Sequence, residues 1–194
     1  MRRIILLALL AGLLAALSSG CSSETPIVVI RTGLGDVEVE VYKKVAPLTA
    51  GNFLKYVEEN RFEGAIFYRV VTMDNQPDNE IKIEVIQGGL GEDPLGLGLP
   101  AIEHETTEQT GIKHLDGTIS MARAEPGTAS SEIFICIGDQ PELDFGGLRN
   151  PDGQGFAAFG RVIKGMDVVR KIQVQPAAGQ MLAPQIAILG IEAK

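Results

Sequence analysis

An arginine and a glutamine in two apolar, β-prone stretches are the side chains with the clearest chemical potential. Arg69 lies midway along Ile66–Val71, and Gln87 ends the next such run just before the pair Gly88-Gly89. If the two stretches form neighbouring strands, a fixed guanidinium and a side-chain amide share one side of an apolar surface. Such a pair suits recognition of a neutral peptide carbonyl and amide more than acid–base chemistry.

Two further blocks of sequence follow these residues along the chain. They are Gly117–Arg123, which reads GTISMAR, and Ser131–Cys136, which reads SEIFIC. With the first two stretches they resemble the cyclophilin family of peptidyl-prolyl cis-trans isomerases. The order of the blocks matches over most of the chain past about residue 26. The resemblance implies an enzyme that interconverts cis and trans X-Pro bonds and needs no cofactor or metal.

The resemblance assigns the catalytic centre to Arg69, Gln87 and Phe134. Isomerisation must overcome the ~18–20 kcal/mol barrier that amide resonance imposes. A donor held near the proline nitrogen favours the twisted amide over the planar one, and arginine stays charged and presents its donors in a rigid fork. Each residue also has a purely structural interpretation: a strand arginine paired with a carboxylate, a polar residue before a turn, and a core phenylalanine.

Five more positions match residues that contact the substrate in the family. Val85 and Leu143 would line the proline pocket, the backbone of Ala122 and Arg123 would line the groove, and Phe156 stands where a histidine often closes the pocket. Core packing is the alternative interpretation for the apolar members of this set.

The sequence departs from the family pattern at several positions near the expected pocket. Val85 replaces a frequent methionine, Arg123 a frequent asparagine, Glu132 a common glutamine, and Glu142 a tryptophan found in many eukaryotic members. The second pocket aromatic would align near Glu84. These changes motivate an alternative function: a cyclophilin-fold module that binds proline peptides, or acts as a chaperone, with little turnover.

Hydrophobic periodicity predicts a mainly β domain. Asp36–Tyr42 alternates valine with acidic residues, which is typical of a strand with one buried face. Two helices are predicted, over Pro47–Glu59 and Gly165–Gln173. The predicted strands are Ile27–Arg31, Asp36–Tyr42, Ile66–Val71, Ile81–Gln87, Thr118–Arg123, Glu132–Ile137, Phe156–Ile163 and Ile186–Ile191. Many short strands with two helices indicate a barrel, and the resemblance implies a closed eight-stranded antiparallel barrel capped by the two α-helices.

The N-terminus has the pattern of an export signal. Two arginines precede the uncharged run Ile4–Leu17, and the small residues after it lead to Cys21. We interpret residues 1–20 as a signal peptide, Cys21 as a lipidated cysteine, 21–26 as the lipidated N-terminus and tether, and 27–194 as the isomerase domain. An ordinary signal peptide with a chance cysteine is the alternative. Small residues directly before a cysteine resemble a bacterial lipobox, so with the domain that follows, the chain looks like a cyclophilin in a bacterial lipoprotein form. The lipobox interpretation predicts a bacterial cell-envelope protein that is anchored by acyl chains, faces the periplasm or the exterior, and assists the folding of exported proteins.

The charge of the chain bears on its partners. The formal charge is −8, and it becomes −10 for the segment after residue 20 because the leader holds two arginines and no acid. With no basic patch, nucleic acid is an unsuitable partner. We expect a monomer that binds proline-containing segments of unfolded or folding proteins. Cys136 lies in an apolar run and is predicted to be a buried, inert thiol.

Overall fold

The computed structural model describes residues 25–194, which fold into a closed antiparallel barrel. Eight strands follow one another around it in the order β1-β2-β7-β5-β6-β4-β3-β9, and β9 pairs back with β1. A two-residue strand, β8, adds to β9. The strands are β1 (Ile27–Thr32), β2 (Gly35–Val41), β3 (Ile66–Val71), β4 (Val85–Gly89), β5 (Thr118–Met121), β6 (Ile133–Cys136), β7 (Ala157–Lys164), β8 (Ala177–Ala178) and β9 (Met181–Ala193). The predicted eight-stranded barrel is confirmed.

Both predicted helices are present, and each packs on the barrel. α1 (Pro47–Glu58) contacts β7 and β9, and its first position is a proline, which tolerates that place because its missing N–H would have no partner there. α3 (Met166–Gln173) contacts β2, β3 and β4. A third, one-turn helix, α2 (Thr107–Thr110), begins with a capping box in which Thr106 and Gln109 satisfy each other's backbone N–H.

The alternation of the strands explains the core. In β2 the side chains of Val37, Val39 and Val41 are fully buried, while the residues between them are not. These valines pack in one main cluster with the aromatic rings of Phe53 and Phe159, whose centroids lie 5.0 Å apart. The barrel interior is therefore filled with side chains and is not an open channel.

The predicted strand Ile81–Gln87 is wrong over its first four residues, because the strand begins only at Val85. The preceding loop is tied down by a buried side chain instead of a β ladder. Gln76 donates from Nε2 to the carbonyls of Thr72 and Ile83 at 2.7 and 2.8 Å, and its Oε1 accepts from Ile83 N. The last strand is longer than the predicted Ile186–Ile191, at Met181–Ala193, since Pro184 interrupts the sequence pattern before Ile186.

The two ends of the domain lie side by side. β1 and β9 are antiparallel neighbours, and the N–H of Lys194 donates to the carbonyl of Ile27 at 2.9 Å. Within residues 25–194 no helix has the length and apolar character needed to cross a membrane. The predicted signal peptide and the lipidated Cys21 lie outside the described residues.

Candidate active site

The alternation of three neighbouring strands brings the predicted catalytic residues together on the outside of the barrel. Arg69 on β3 pairs with Gln87 on β4, and Gln87 pairs with Phe134 on β6. Ile86 and Ile135, which alternate with them, point into the main core. The opposite faces of the same strands therefore build the barrel interior and a separate outer site.

These residues line a cavity of about 220 Å³. All eight residues that the sequence analysis assigned to catalysis or substrate binding share it, with three further residues that the analysis did not assign to the site. The lining comprises Arg69, Ile83, Val85, Gln87, Ala122, Arg123, Phe134, Leu143, Arg149, Asn150 and Phe156. The individual roles of the eight residues stay predictions, although all eight line one cavity.

Two neutral amide oxygens hold the guanidinium of Arg69. Its Nη1 donates to Gln87 Oε1 at 2.7 Å, and its Nε and Nη2 donate to Gln180 Oε1 at 2.9 and 2.6 Å. No carboxylate among residues 25–194 forms an ion pair with Arg69, so the interpretation as a surface-paired strand arginine does not hold. Partial burial lowers the pKa of Arg69 from its ordinary value. The positive charge is fixed in place without being neutralised.

Each glutamine of this clamp has its own orientation fixed by a second hydrogen bond. Gln87 Nε2 donates to the hydroxyl of Tyr68 at 2.7 Å, and Gln180 Nε2 donates to the carbonyl of Asn75 at 3.1 Å. The amide oxygens are thereby turned towards Arg69. Burial, followed by the nearby carboxylate of Glu132, raises the pKa of Tyr68, so its phenol remains protonated at neutral pH.

The apolar part of the cavity is a second, smaller cluster of buried side chains. Val85, Phe134 and Leu143 belong to it, and Phe156 packs against it. The ring of Phe134 meets the edge of Phe156 at a centroid distance of 5.2 Å and an angle of 86°. On another side it stacks on the imidazole of His114 at 5.8 Å. Because aromatic neighbours fix its position, Phe134 offers a rigid surface for an apolar ring.

The side chain of Arg123 has a role that the sequence analysis did not anticipate. Its guanidinium donates to both carboxylate oxygens of Asp152 at 2.8 and 3.0 Å and to the carbonyl of Gly155. It also lies over the ring of Phe156, 5.3 Å from the centroid. Only 1% of the side chain is exposed. Arg123 therefore fixes the loop between residues 144 and 155 against the pocket.

Several residues at the site were not predicted from the sequence. Gln180, Arg149 and Asn150 lie in turns and loops, where no periodicity marks them. Ile83 lines the cavity where the family's second aromatic was expected, whereas Glu84 interacts with Gln173 outside it. The only signal for Arg149 and Asn150 in the sequence is the length of the segment between Asp144 and Gly155, which we call the expanded loop.

Other forms of chemistry find no support in the part of the chain that the structure describes. No group of three or more histidine, cysteine, aspartate or glutamate side chains there is arranged to hold a metal ion. Cys136 is fully buried, and desolvation raises its pKa well above the ordinary value, so its thiol stays protonated.

Mild acid is expected to destabilise the protein through His114. Burial lowers the pKa of His114 from its ordinary value, although the hydrogen bond to Asp144 opposes the shift. The unfolded chain, with a histidine pKa of ~6.5, then binds the extra proton first. The free energy of unfolding should be level above about pH 7 and fall as the pH drops below ~6.5. Denaturant unfolding at a series of pH values measures this. A His114→Gln variant with the same decline between about pH 7 and 5.5 would contradict the assignment.

Comparison with known proteins agrees with this geometry. The family model described as "Cyclophilin type peptidyl-prolyl cis-trans isomerase/CLD" matches residues 27–193. A peptidyl-prolyl cis-trans isomerase of Acinetobacter baylyi is 36% identical over 153 residues, which cover 78% of this chain and 74% of that protein. Peptidyl-prolyl cis-trans isomerase B of Escherichia coli is 33% identical over 150 residues, covering 76% and 84%.

Solved structures show the same fold. The crystal structure of a cyclophilin type peptidyl-prolyl cis-trans isomerase from Cryptosporidium parvum has a TM-score of 0.70 at 21% identity, and covers 88% of this chain and 98% of its own. A second structure of that protein, in the presence of the dipeptide Ala-Pro, has a TM-score of 0.69 at 22% identity, with 87% and 98% covered. From its sequence match and its fold, the chain belongs to the cyclophilin-type peptidyl-prolyl cis-trans isomerases.

Proposed function

We propose that the outer cavity isomerises X-Pro bonds by electrostatic stabilisation of the twisted amide. The observation that carries the proposal is the guanidinium of Arg69, held by the neutral oxygens of Gln87 and Gln180 in the wall of an apolar pocket. An arginine has five N–H groups, of which this clamp engages three, and two are left for a substrate.

The rest of the cavity would hold the proline ring. Val85, Phe134, Leu143 and Ile83 belong to one apolar cluster and line the same cavity as the polar side chains. A ring bound there leaves its nitrogen and flanking carbonyl groups near the charged donors. As the amide twists, its nitrogen regains a lone pair and attracts an N–H donor more strongly than in the planar state. No proton is transferred, and no covalent bond forms or breaks.

Exchange spectroscopy by NMR tests this function directly on the folded protein. Uncatalysed cis–trans exchange of an X-Pro bond takes tens to hundreds of seconds. We expect the protein to make this exchange much faster in a proline peptide with a neutral flanking sequence. Binding that shifts the peptide resonances without accelerating exchange would instead favour a proline-peptide-binding or chaperone module with little turnover.

The site of action is the second part of the proposal. We infer that this isomerase works at the bacterial cell envelope on exported proteins, attached to a membrane by acyl chains on Cys21 and facing the periplasm or the exterior. Support comes from the sequence before the domain, where two arginines, an apolar run and small residues precede that cysteine. Each acyl chain would contribute ~0.8 kcal/mol per buried methylene, and two or three together hold a protein firmly. Exported chains fold outside the cytoplasm, where a prolyl isomerase removes a slow step.

Replacing Cys21 with serine is expected to abolish lipid attachment. Cells fed an alkyne-tagged fatty acid should label the natural protein and leave Cys21→Ser unlabelled and either soluble or uncleaved. The matched control is Cys136→Ala, which removes the other cysteine of the chain and should retain the label. A natural protein that takes up no label and is released after cleavage would show that the lipobox interpretation is wrong.

A further inference from the structure

The pocket carries more positive charge than a neutral proline peptide requires. Three arginines line it, and no aspartate or glutamate does. Asp152 neutralises one of them, Arg123, through a two-pronged ion pair. The other two, Arg69 and Arg149, form no ion pair with a carboxylate anywhere in residues 25–194. In an acidic chain of formal charge −8, two uncompensated cations in one small cavity need an explanation.

Arg149 is held in the cavity by few bonds. Its backbone N–H donates to the carbonyl of Glu142 at 3.2 Å, and its Nη1 donates to the carbonyl of Ile81 at 2.6 Å. This second bond joins the expanded loop to the segment before β4. Within the described residues the guanidinium makes no further hydrogen bond, so most of its donors are available to a ligand. Burial, and after it the positive charge of Arg69, lowers the pKa of Arg149, as expected for two cations in one cavity.

The neighbouring residue supplies a second unmet donor. The side-chain nitrogen of Asn150 is inaccessible to solvent and has no hydrogen-bond partner among the described residues, although Asn150 lines the same cavity. A buried amide N–H without a partner is costly, and such groups in native proteins call for a ligand or another partner. A planar anion with two oxygens could accept from this nitrogen and from a guanidinium together.

We propose that this pocket selects proline segments that present a carboxylate beside the proline ring, and that Arg149 and Asn150 recognise that carboxylate. The inference rests on the proposed function, because it names the substrate class of the same site. The carboxylate could belong to an acidic residue before or after the proline, or to the free C-terminus of a chain that ends in proline. All three present the same chemistry to the guanidinium.

Matched peptides separate these sources. One pair carries Glu or Gln before the proline, a second carries Glu or Gln after it, and a third compares Ala-Pro with its C-terminal amide. NMR exchange spectroscopy gives kcat/KM for each without a coupling protease. We expect one pair or more to favour the carboxylate member roughly ten-fold, the ratio for ~1.4 kcal/mol. Raising the salt from about 0.01 M to about 1 M should shrink that ratio, because the Debye length falls from ~30 Å to ~3 Å.

Variants assign the preference to residues. Arg149→Gln and Asn150→Ala should each reduce the ratio of the preferred pair, and Arg149→Gln should bring it near one. The matched control is Arg31→Gln, which removes the same charge from a surface arginine paired with Asp36 and Glu192 and should leave the ratio unchanged. The matched peptide pairs and Asn150→Ala test the proposal even if Arg149→Gln does not fold.

The outcomes distinguish this inference from the proposed function. If no peptide exchanges faster with the protein, the isomerase function fails and the preference fails with it. Equal acceleration of both members in all three pairs would overturn the inference alone. A preference that survives both substitutions would overturn the assignment to Arg149 and Asn150.

Discussion

Arg69→Ala is expected to lower kcat/KM by two to three orders of magnitude while the protein remains folded. The loss of about 3–4 kcal/mol is the scale of one preorganised donor in a site that excludes water. The fold should survive because Arg69 lies outside the main core, bonded only to the side chains of Gln87 and Gln180. Exchange spectroscopy on a neutral proline peptide gives the rate, and circular dichroism checks the fold.

Charge alone should not restore this activity. Arg69→Lys keeps the positive charge but replaces a planar fork with a flexible ammonium, which cannot bond both glutamine oxygens and still aim a donor at the substrate. We therefore expect Arg69→Lys to recover little of the lost rate. A folded Arg69→Ala protein with near-normal turnover would refute the mechanism, and so would full recovery in Arg69→Lys.

The second large effect concerns stability. Asp144→Ala is expected to lower the free energy of unfolding by about 3 kcal/mol, because hydrogen bonds to a charged group contribute ~1.5–3 kcal/mol each. Asp144 Oδ1 accepts from the backbone N–H of His114 at 3.1 Å and from its Nδ1 at 2.8 Å. His114 Nε2 in turn lies 3.0 Å from Ser120 Oγ, and the imidazole stacks on Phe134.

Asp144→Ala should lower the activity of the pocket as well as the stability of the fold. Without Asp144 the imidazole behind Phe134 loses its orientation, so kcat/KM should fall at temperatures where the variant is still folded. Asp167→Ala is the matched control, because its carboxylate pairs with Lys171 at an exposed position and should change the denaturation midpoint little. Equal midpoints for the two variants would show that the His114–Asp144 pair does not support the structure.

The parts of the fold that periodicity controls could be predicted from sequence. The alternating valines of Asp36–Tyr42 and the apolar face of Pro47–Glu59 correspond to β2 and α1 within one residue at each end. These elements bury one face each, so their sequence repeats with the period of their backbone. Periodicity did not predict the segments that are held by side-chain hydrogen bonds instead of strand pairing. The loop before β4, which Gln76 holds, is such a segment.

The site residues also fall into a group that could be predicted from the sequence and a group that could not. Arg69, Gln87 and Phe134 lie in strands, where block order and spacing locate them. Gln180, by contrast, reaches Arg69 from a turn 111 residues further along the chain. Such a contact depends on the path of the whole chain, and a polar residue in a turn has the same local pattern whether it binds a catalytic group or only solvent. The contact of Gln180 with Arg69 could therefore be identified only from the three-dimensional structure.

The pairing of β1 with β9 also makes the domain suitable for circular permutation. Because Lys194 and Ile27 share a hydrogen bond, a short glycine-rich linker could join the two ends without disturbing the barrel. New ends could then be opened in an exposed turn, such as the one at Gly127. A circularly permuted enzyme of this kind would begin and end at a chosen point on the surface. Comparing permutants would show how far activity depends on where the chain begins and ends relative to the pocket.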